Sequence, residues 1–376
     1  MATDHLQAID PDALIVHTKS ERRRREKLKA LPTWGESPAQ TQQRRTRLVK
    51  QLALEAGFSR VGIAHATALS DDRAGLQRWI DLGMHGEMAW MADNAARRCD
   101  PRLVVPGARA VLVLALDYDT AHPHTRDIDL VGENRAWVSR YAWGDDYHTV
   151  AEQRLKKLES LVVARLKPEL GSDFRQPDQP QRPFKPFDDW HWSVDYGPVL
   201  ERAWAERAGL GWRGKHTLLV DPRRGSFFFL ATIITTLALD ADQAQTDHCG
   251  SCTACLDACP TQAIVAPHVV DARLCISHAT IEIAGDLPVQ ARALVGDHLF
   301  GCDICQDVCP FNRFSHPCAD PVFEPRAGLL APKLADVAAL TDESAQPLLA
   351  KSPLKRRGLL GLQDTARAVV AGRATT

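Results

Sequence analysis

Between His248 and Pro260 the chain reads HCGSCTACLDACP, with four cysteines in thirteen residues and a proline directly behind the last. Few sequence features restrict a fold so tightly. The spacing C-x2-C-x2-C-x3-C-P (Cys249, Cys252, Cys255, Cys259, Pro260) is the run that seats paired 4Fe-4S cubes. Three thiolates at intervals of three residues wrap one cube, and the fourth, displaced by one residue and turned by the proline, points to another. A second run, GCDICQDVCP, supplies Cys302, Cys305, Cys309 and Pro310, with Leu299 where a leading cysteine would stand. Cys275 is the one other cysteine between the runs and takes that place. One cluster then uses Cys249, Cys252, Cys255 and the crossing Cys309; the other uses Cys275, Cys302, Cys305 and the crossing Cys259. Cys99 and Cys318 are left over. Zinc sites pair one C-x2-C with a second pair a dozen or more residues away, and disulfides do not suit neighbouring C-x2-C thiols without a secretion signal.

A chain of 376 residues has room for two domains of roughly 100–200 residues each. Arg44 to Gly57 has apolar residues at helical spacing. RVGIAHA and ARAVLVLALDY read as strands, DDRAGLQRWIDLG as a helix, and Asp146 to Leu166 as a long amphipathic helix. Gly171 to Asp189 is a proline-rich loop, GPVLERAWAERAGLG a further helix, and Asp221 to Gly225 the turn of a hairpin. The expected fold is α+β: an N-terminal α/β domain over 44–242, then a ferredoxin-like double 4Fe-4S domain over 243–320. A basic segment over 321–376 follows, and residues 1–43 read as a loosely attached, poorly ordered extension. The stretch Ser226 to Asp240 is too short for a membrane span of about 20 residues.

Net charge is −1, distributed unevenly. Lys19–Lys29 carries +5 and Lys351 to the end another +5, leaving −11 on the remainder. Basic ends on an acidic body suit a polyanion, although charge runs are more often a solvated face. The arginines 22–25 are followed by polar, proline-broken sequence with no apolar core of an export signal. A cytoplasmic protein is expected, with no membrane attachment and no partner copy.

Two cubes make an electron relay without saying what is reduced. A pure electron carrier does not need the about 200 folded residues that precede the cysteines. HGEMAWM (85–91), RCDPRLVVPGAR (98–109), VSRYAWGDDYH (138–148), VDYGPVLERAWAERAGLGWRGKH (194–216) and FGCDICQDVCPFN (300–312) together closely resemble epoxyqueuosine reductase. The likeness runs over about residues 45–330. It implies a cobalamin-dependent enzyme that draws electrons from an external low-potential donor through two 4Fe-4S clusters. The implied substrate is the anticodon stem-loop of a tRNA bearing epoxyqueuosine at the wobble position, and the products are queuosine and water. Cobalamin-dependent reductive dehalogenases share the architecture and are the rival reading.

By the same likeness Asp195 is the proton donor; on the residues alone it reads as a cap ahead of Pro198. To donate at neutral pH it needs a raised pKa and an apolar, desolvated seat. Arg98, Arg140, Tyr141, Lys215 and Ser277 are the implied cobalamin contacts; on the residues alone Arg98 and Lys215 read equally as surface charges. DYHTVA (146–151) falls one residue short of the D-x-H-x-x-G pattern of proteins that bind cobalt through His. Asp146 reads as a helix N-cap, and the resemblance implies cobalamin with no His below the metal. Gln363 and Asp364 stand where family members of this length carry an Arg-Asn pair.

Overall fold

The structure, a computed structural model, describes residues 36–130, 134–170 and 189–374. Most of the proline-rich loop, most of the N-terminal extension and the whole Lys19–Lys29 charge run lie outside the described residues. Residues Arg45–Thr376 make one compact unit.

Its centre is a four-stranded sheet. The strands are β1 (Arg60–His65), β2 (Ala110–Asp117), β3 (Trp190–Ser193) and β4 (Phe228–Thr235), in the order β1-β2-β4-β3. Every pairing within this sheet is antiparallel, so the fold is α+β. β2 shows why this sequence becomes a central strand. Ala110 to Leu116 are all buried and contain no polar residue. The side-chain period of two sends Leu112, Leu114 and Leu116 to one face, and Val111, Val113 and Ala115 to the other. A strand buried on both faces needs a helical layer on each. Helices α1 (Pro38–Ala56) and α3 (Tyr147–Leu170) cover the first face through Val49, Leu52, Leu155, Leu158 and Val162. Helices α2 (Ser70–Asp81) and α4 (Glu201–Arg207) cover the second through Leu76, Ala203 and Trp204. Each fully buried leucine of β2 stabilises this sandwich by about 1.5–3 kcal/mol relative to exposure. Gly62 lets the end of α4 close on the sheet, since a Cβ there would lie 2.1 Å from Ala208 O.

The cysteine-bearing part is built from short pieces: α5 (Ala254–Ala258), a helix over Ile276–Ile281, and α6 (Ile304–Asp307). A third apolar cluster joins Ala136–Trp143 and Ile283–Phe300 to the C-terminal helix α7 (Gly358–Arg373). The pair set apart at the sequence level helps to hold α7. Asp364 is buried and accepts from Leu287 N–H at 2.7 Å and Arg292 at 2.5 Å, while Gln363 donates to Leu340 O at 2.9 Å. Among the described residues no helix is long and apolar enough to cross a membrane.

Candidate functional site

β3 ends at Ser193, and the chain turns before α4 begins at Glu201. Asp195 occupies this turn with φ +59°, a strained conformation for a residue with a Cβ. Its N–H donates to Glu201 Oε1 at 2.9 Å. Leu200, not Asp195, sits at the cap position of α4, so the Asp195 carboxylate is turned elsewhere, toward the start of α3. Tyr147 Oη donates to Asp195 Oδ2 at 2.8 Å, and His148 Nε2 lies 3.7 Å from the same oxygen. On its other side His148 Nδ1 is 2.8 Å from Asp146 Oδ1, which also accepts the backbone N–H of His148 at 3.1 Å, the N-cap contact expected of Asp146. The second Asp146 oxygen is paired with Lys355. The Tyr147 ring is stacked between Phe229 at 4.2 Å and His148 at 4.0 Å, which fixes the hydroxyl.

The Asp195 side chain is 62% exposed yet closely surrounded by protein, so it lines a concavity. Burial by itself would raise its pKa. Hydrogen bonds from His148 and Tyr147 outweigh that and hold the carboxyl below its ordinary value. The apolar seat expected for a proton-donating Asp195 is therefore not what the chain builds. The protons sit on its neighbours instead. His148 would be lowered by burial, but Asp146 and Asp195 hold its pKa up at about 9. Glu201 is pushed up to about 8 by burial and then by the Asp195 charge. At neutral pH the recess thus holds a charged Asp195 beside a protonated His148 and a protonated Glu201.

The eight cysteines fall into two neighbouring sets. Cys249, Cys252, Cys255 and Cys309 line one small cavity with Lys215, His216 and Phe311. The Cys255 thiol is pushed up to about 11 by burial and by the charges of Cys309, Cys249 and Cys252. In the second set burial raises Cys302, Cys305 and Cys275. Cys302 is raised further by Asp303, Cys275 and Cys259, Cys305 by Cys302 and Cys275, and Cys275 by Cys259. Cys309 thus lies among residues of the first run and Cys259 among those of the second. Buried thiols that raise one another stay protonated unless a cationic centre draws their charge, and a coordinating thiol is deprotonated outright. The donor set suits iron–sulfur chemistry. Among the described residues no group of three or more His, Cys, Asp or Glu converges as ligands of a single metal ion do; thiolates around a cube stand apart at its corners.

Asp303, between Cys302 and Cys305, ties the second set to the recess. It is 1% exposed and accepts from the Ser139 hydroxyl, from Arg140 N–H at 2.6 Å and from Thr125 Oγ1 at 2.7 Å. Gly301 permits this approach, because a Cβ there would lie 2.5 Å from Ser139 Cβ. Ser139 and Arg140 begin the segment that continues through Tyr141 to Tyr147 and His148.

The five residues named for cobalamin are placed differently from one another. Arg98 is buried and donates to Gly197 O at 3.1 Å and Trp90 O at 3.2 Å. Arg140 is buried, paired with Asp119 at 2.8 Å and bonded to the carbonyls of Thr120, His122 and Pro123. Lys215 donates to Gly250 O at 2.7 Å and Cys252 O at 2.8 Å. Tyr141 packs against Tyr147, Phe229 and Phe300, and its hydroxyl is raised by burial and by the charge of Asp195. Ser277 is half-buried, two residues after Cys275. Of the spare cysteines, Cys99 is buried in the core beside α2, and Cys318 packs against the α1–α3 side.

Tyr147, Glu201 and Lys355 are not singled out by the sequence, and His148 stands there only as the histidine of an incomplete cobalt-binding pattern. A signal for its present role exists: a carboxylate two residues ahead of a histidine at a helix start places both on one turn. Glu201 and Lys355 reach the site only through the tertiary fold.

Comparison with known proteins was consistent across families, relatives and structures. The 4Fe-4S double cluster binding domain model matches residues 248–312, and the epoxyqueuosine reductase QueG (DUF1730) model matches residues 98–175. The epoxyqueuosine reductase of Cellulophaga algicola is 40% identical over 323 residues, covering 86% of this chain and 97% of its own. That of Escherichia coli is 40% identical over 312 residues, covering 83% and 77%. A crystal structure of an epoxyqueuosine reductase with an epoxyqueuosine-modified tRNA-Tyr stem loop superposes with a TM-score of 0.74 at 30% identity, covering 86% and 80%.

Proposed function

The chain belongs to the epoxyqueuosine reductase family, and we propose that it reduces epoxyqueuosine to queuosine at the wobble position of tRNA. The reaction takes two electrons and two protons: both C–O bonds of the epoxide break, an alkene forms, and the oxygen leaves as water. The observation that carries this reading is the shared segment from Ser139 to His148. One end is tied by Asp303 to the second cysteine set, and the other bears the proton-holding pair beside Asp195.

Cys249, Cys252, Cys255 and Cys309 would hold one 4Fe-4S cluster, and Cys275, Cys302, Cys305 and Cys259 the other, within the ferredoxin-like domain 243–320. Cobalamin would be held at the recess of domain 44–242, where the Asp195 carboxylate is reachable by solvent. When bound, the cobalamin supplies a strongly reducing cobalt centre. Tyr141, which adjoins Tyr147, and Ser277 would touch it. Arg98, Arg140 and Lys215 act by fixing the backbone of the Asp195 turn, the 120–123 loop and the first cysteine loop. Asp195 would pass to the substrate a proton held on His148, while Glu201 holds a second beside it. Lys355 and Arg356, each more than half exposed, supply positive charge near the recess for the anticodon phosphates. On this reading the protein acts as a monomer in the cytoplasm with an external low-potential reductant, since a reducing compartment keeps cluster thiols available.

The test uses the full chain loaded with both cofactor types and given a low-potential reductant and tRNA bearing epoxyqueuosine. Nucleoside mass spectrometry should show queuosine forming. Asp195→Asn should keep its iron and cobalt while turnover falls by about 10²–10⁴, the usual worth of a positioned proton donor. Dehalogenation of halophenols with no conversion of such tRNA would overturn the proposal.

A further inference from the structure

The segment Trp212–His216 belongs to the sheet-bearing part of the fold, yet three of its side chains reach the first cysteine set. Trp212 is fully buried, with its ring edge-on to Phe311 at 4.8 Å and His248 at 5.0 Å. Its Nε1–H donates to Cys249 Sγ at 3.4 Å. A buried indole N–H needs an acceptor, and here that acceptor is a cysteine sulfur. His216 is 4% exposed. Leu218 N–H donates to His216 Nδ1 at 3.1 Å, so Nδ1 is the acceptor and the ring proton lies on Nε2. Among the described residues that Nε2 is buried and has no partner, and His216 lines the cavity formed by Cys249, Cys252, Cys255 and Cys309. Between the two rings, Lys215 pins the loop through the carbonyls of Gly250 and Cys252. A buried, unpartnered N–H on a residue that lines a sulfur-bearing cavity is costly unless the occupant of that cavity accepts from it.

We propose that Trp212 and His216 donate two ring N–H hydrogen bonds to the sulfur shell of the cluster held by Cys249, Cys252, Cys255 and Cys309, and so raise its reduction potential. The proposal rests on the ligand assignment above. Reduction adds a negative charge to the cluster, and donors aimed at its sulfurs stabilise that state more than the oxidised one. Among the described residues no ring N–H donates to a sulfur of the other set. The side-chain hydroxyl nearest Cys259 is Thr261 Oγ1 at 3.7 Å, and the remaining bonds to that sulfur come from the backbone.

The measurement is an EPR-monitored redox titration of the full cluster-loaded chain, with iron counted in the same samples. Trp212→Phe keeps the ring packing and removes the donor; His216→Leu removes the second. Each should retain about eight irons and lower one of the two cluster potentials, with the reduction equilibrium falling about tenfold, about 59 mV for one electron. The other potential should not move. His216→Gln, whose amide offers an N–H at a similar reach, should recover most of the shift. Unchanged potentials at full iron content would overturn the proposal. So would a Gln variant shifted as far as the Leu variant, or loss of half the iron from both Trp212→Phe and His216→Leu, since each marks the rings as structural walls. A wrong ligand assignment shows separately, as fewer than about eight irons in the unaltered chain.

Discussion

At Asp195 the carboxylate and the proton it delivers sit on different atoms. His148, held between Asp146 and Asp195, keeps the proton up to about pH 9. The sequence contains both halves of this device but not their meeting, because Asp195 and His148 are 47 positions apart and joined only when β3 and α3 pack on one sheet face. That is why the apolar seat expected for Asp195 is not what the chain builds. A pH-dependent stability follows. The pKa of His148 is raised from its ordinary 6.5 to about 9, so its contribution is fully present below about 6.5 and is lost as pH rises through about 9. Asp146 and Asp195 are shifted the other way, and their contributions fade only in acid. His148→Asn should therefore melt below the parent near pH 6, with the gap closing toward pH 10. A gap that widens on the alkaline side would show that His148 is not the charged partner.

Among the elements, β1 and β2 were the most legible. β2 is an apolar run bounded by turn residues, and that composition admits little else; β3, the four residues WHWS, carries no such run and was not legible. Helix boundaries were less so: α4 starts at Glu201, because the turn through Asp195 uses the residues ahead of it, including Pro198. The cysteine spacing points to a double cluster by itself, since a cluster dictates its own ligand intervals, and the double-cluster family model covers both runs. Cys275 belongs to neither run and was reached by elimination. Its place at the N-cap of the Ile276–Ile281 helix turns the backbone N–H groups of Ser277 and His278 toward its sulfur. Cys275→Ser should halve the iron content, measured per chain after anaerobic reconstitution. Full iron with an unchanged spectrum would remove Cys275 from the ligand set.

For the molecule as a whole, the charge of the basic C-terminal segment suits a polyanion or a solvated face, and the fold gives it a further use. Arg357 bonds the carbonyls of Ile283 and Gly285, Arg373 pairs with Asp297, and Lys355 reaches Asp146. Arg356 keeps a side chain 56% exposed while paired with Glu282. If it also meets an anticodon phosphate, Arg356→Ala should weaken binding of modified and unmodified tRNA alike and reduce the slope of log affinity against log salt by about 1. An unchanged slope would place the tRNA elsewhere. The uneven cover over the cysteines has a consequence for how the protein ages. Of the eight, Cys252 alone is exposed, and it belongs to the set farther along the chain from Ser277 and the Asp303 joint. Oxygen should attack from that side, so iron release in air should come in two phases, the first about half of the total. The survivor of the first phase would be a half-stripped protein whose remaining cluster still adjoins the recess, cut off from its supply of electrons before its chemistry is damaged.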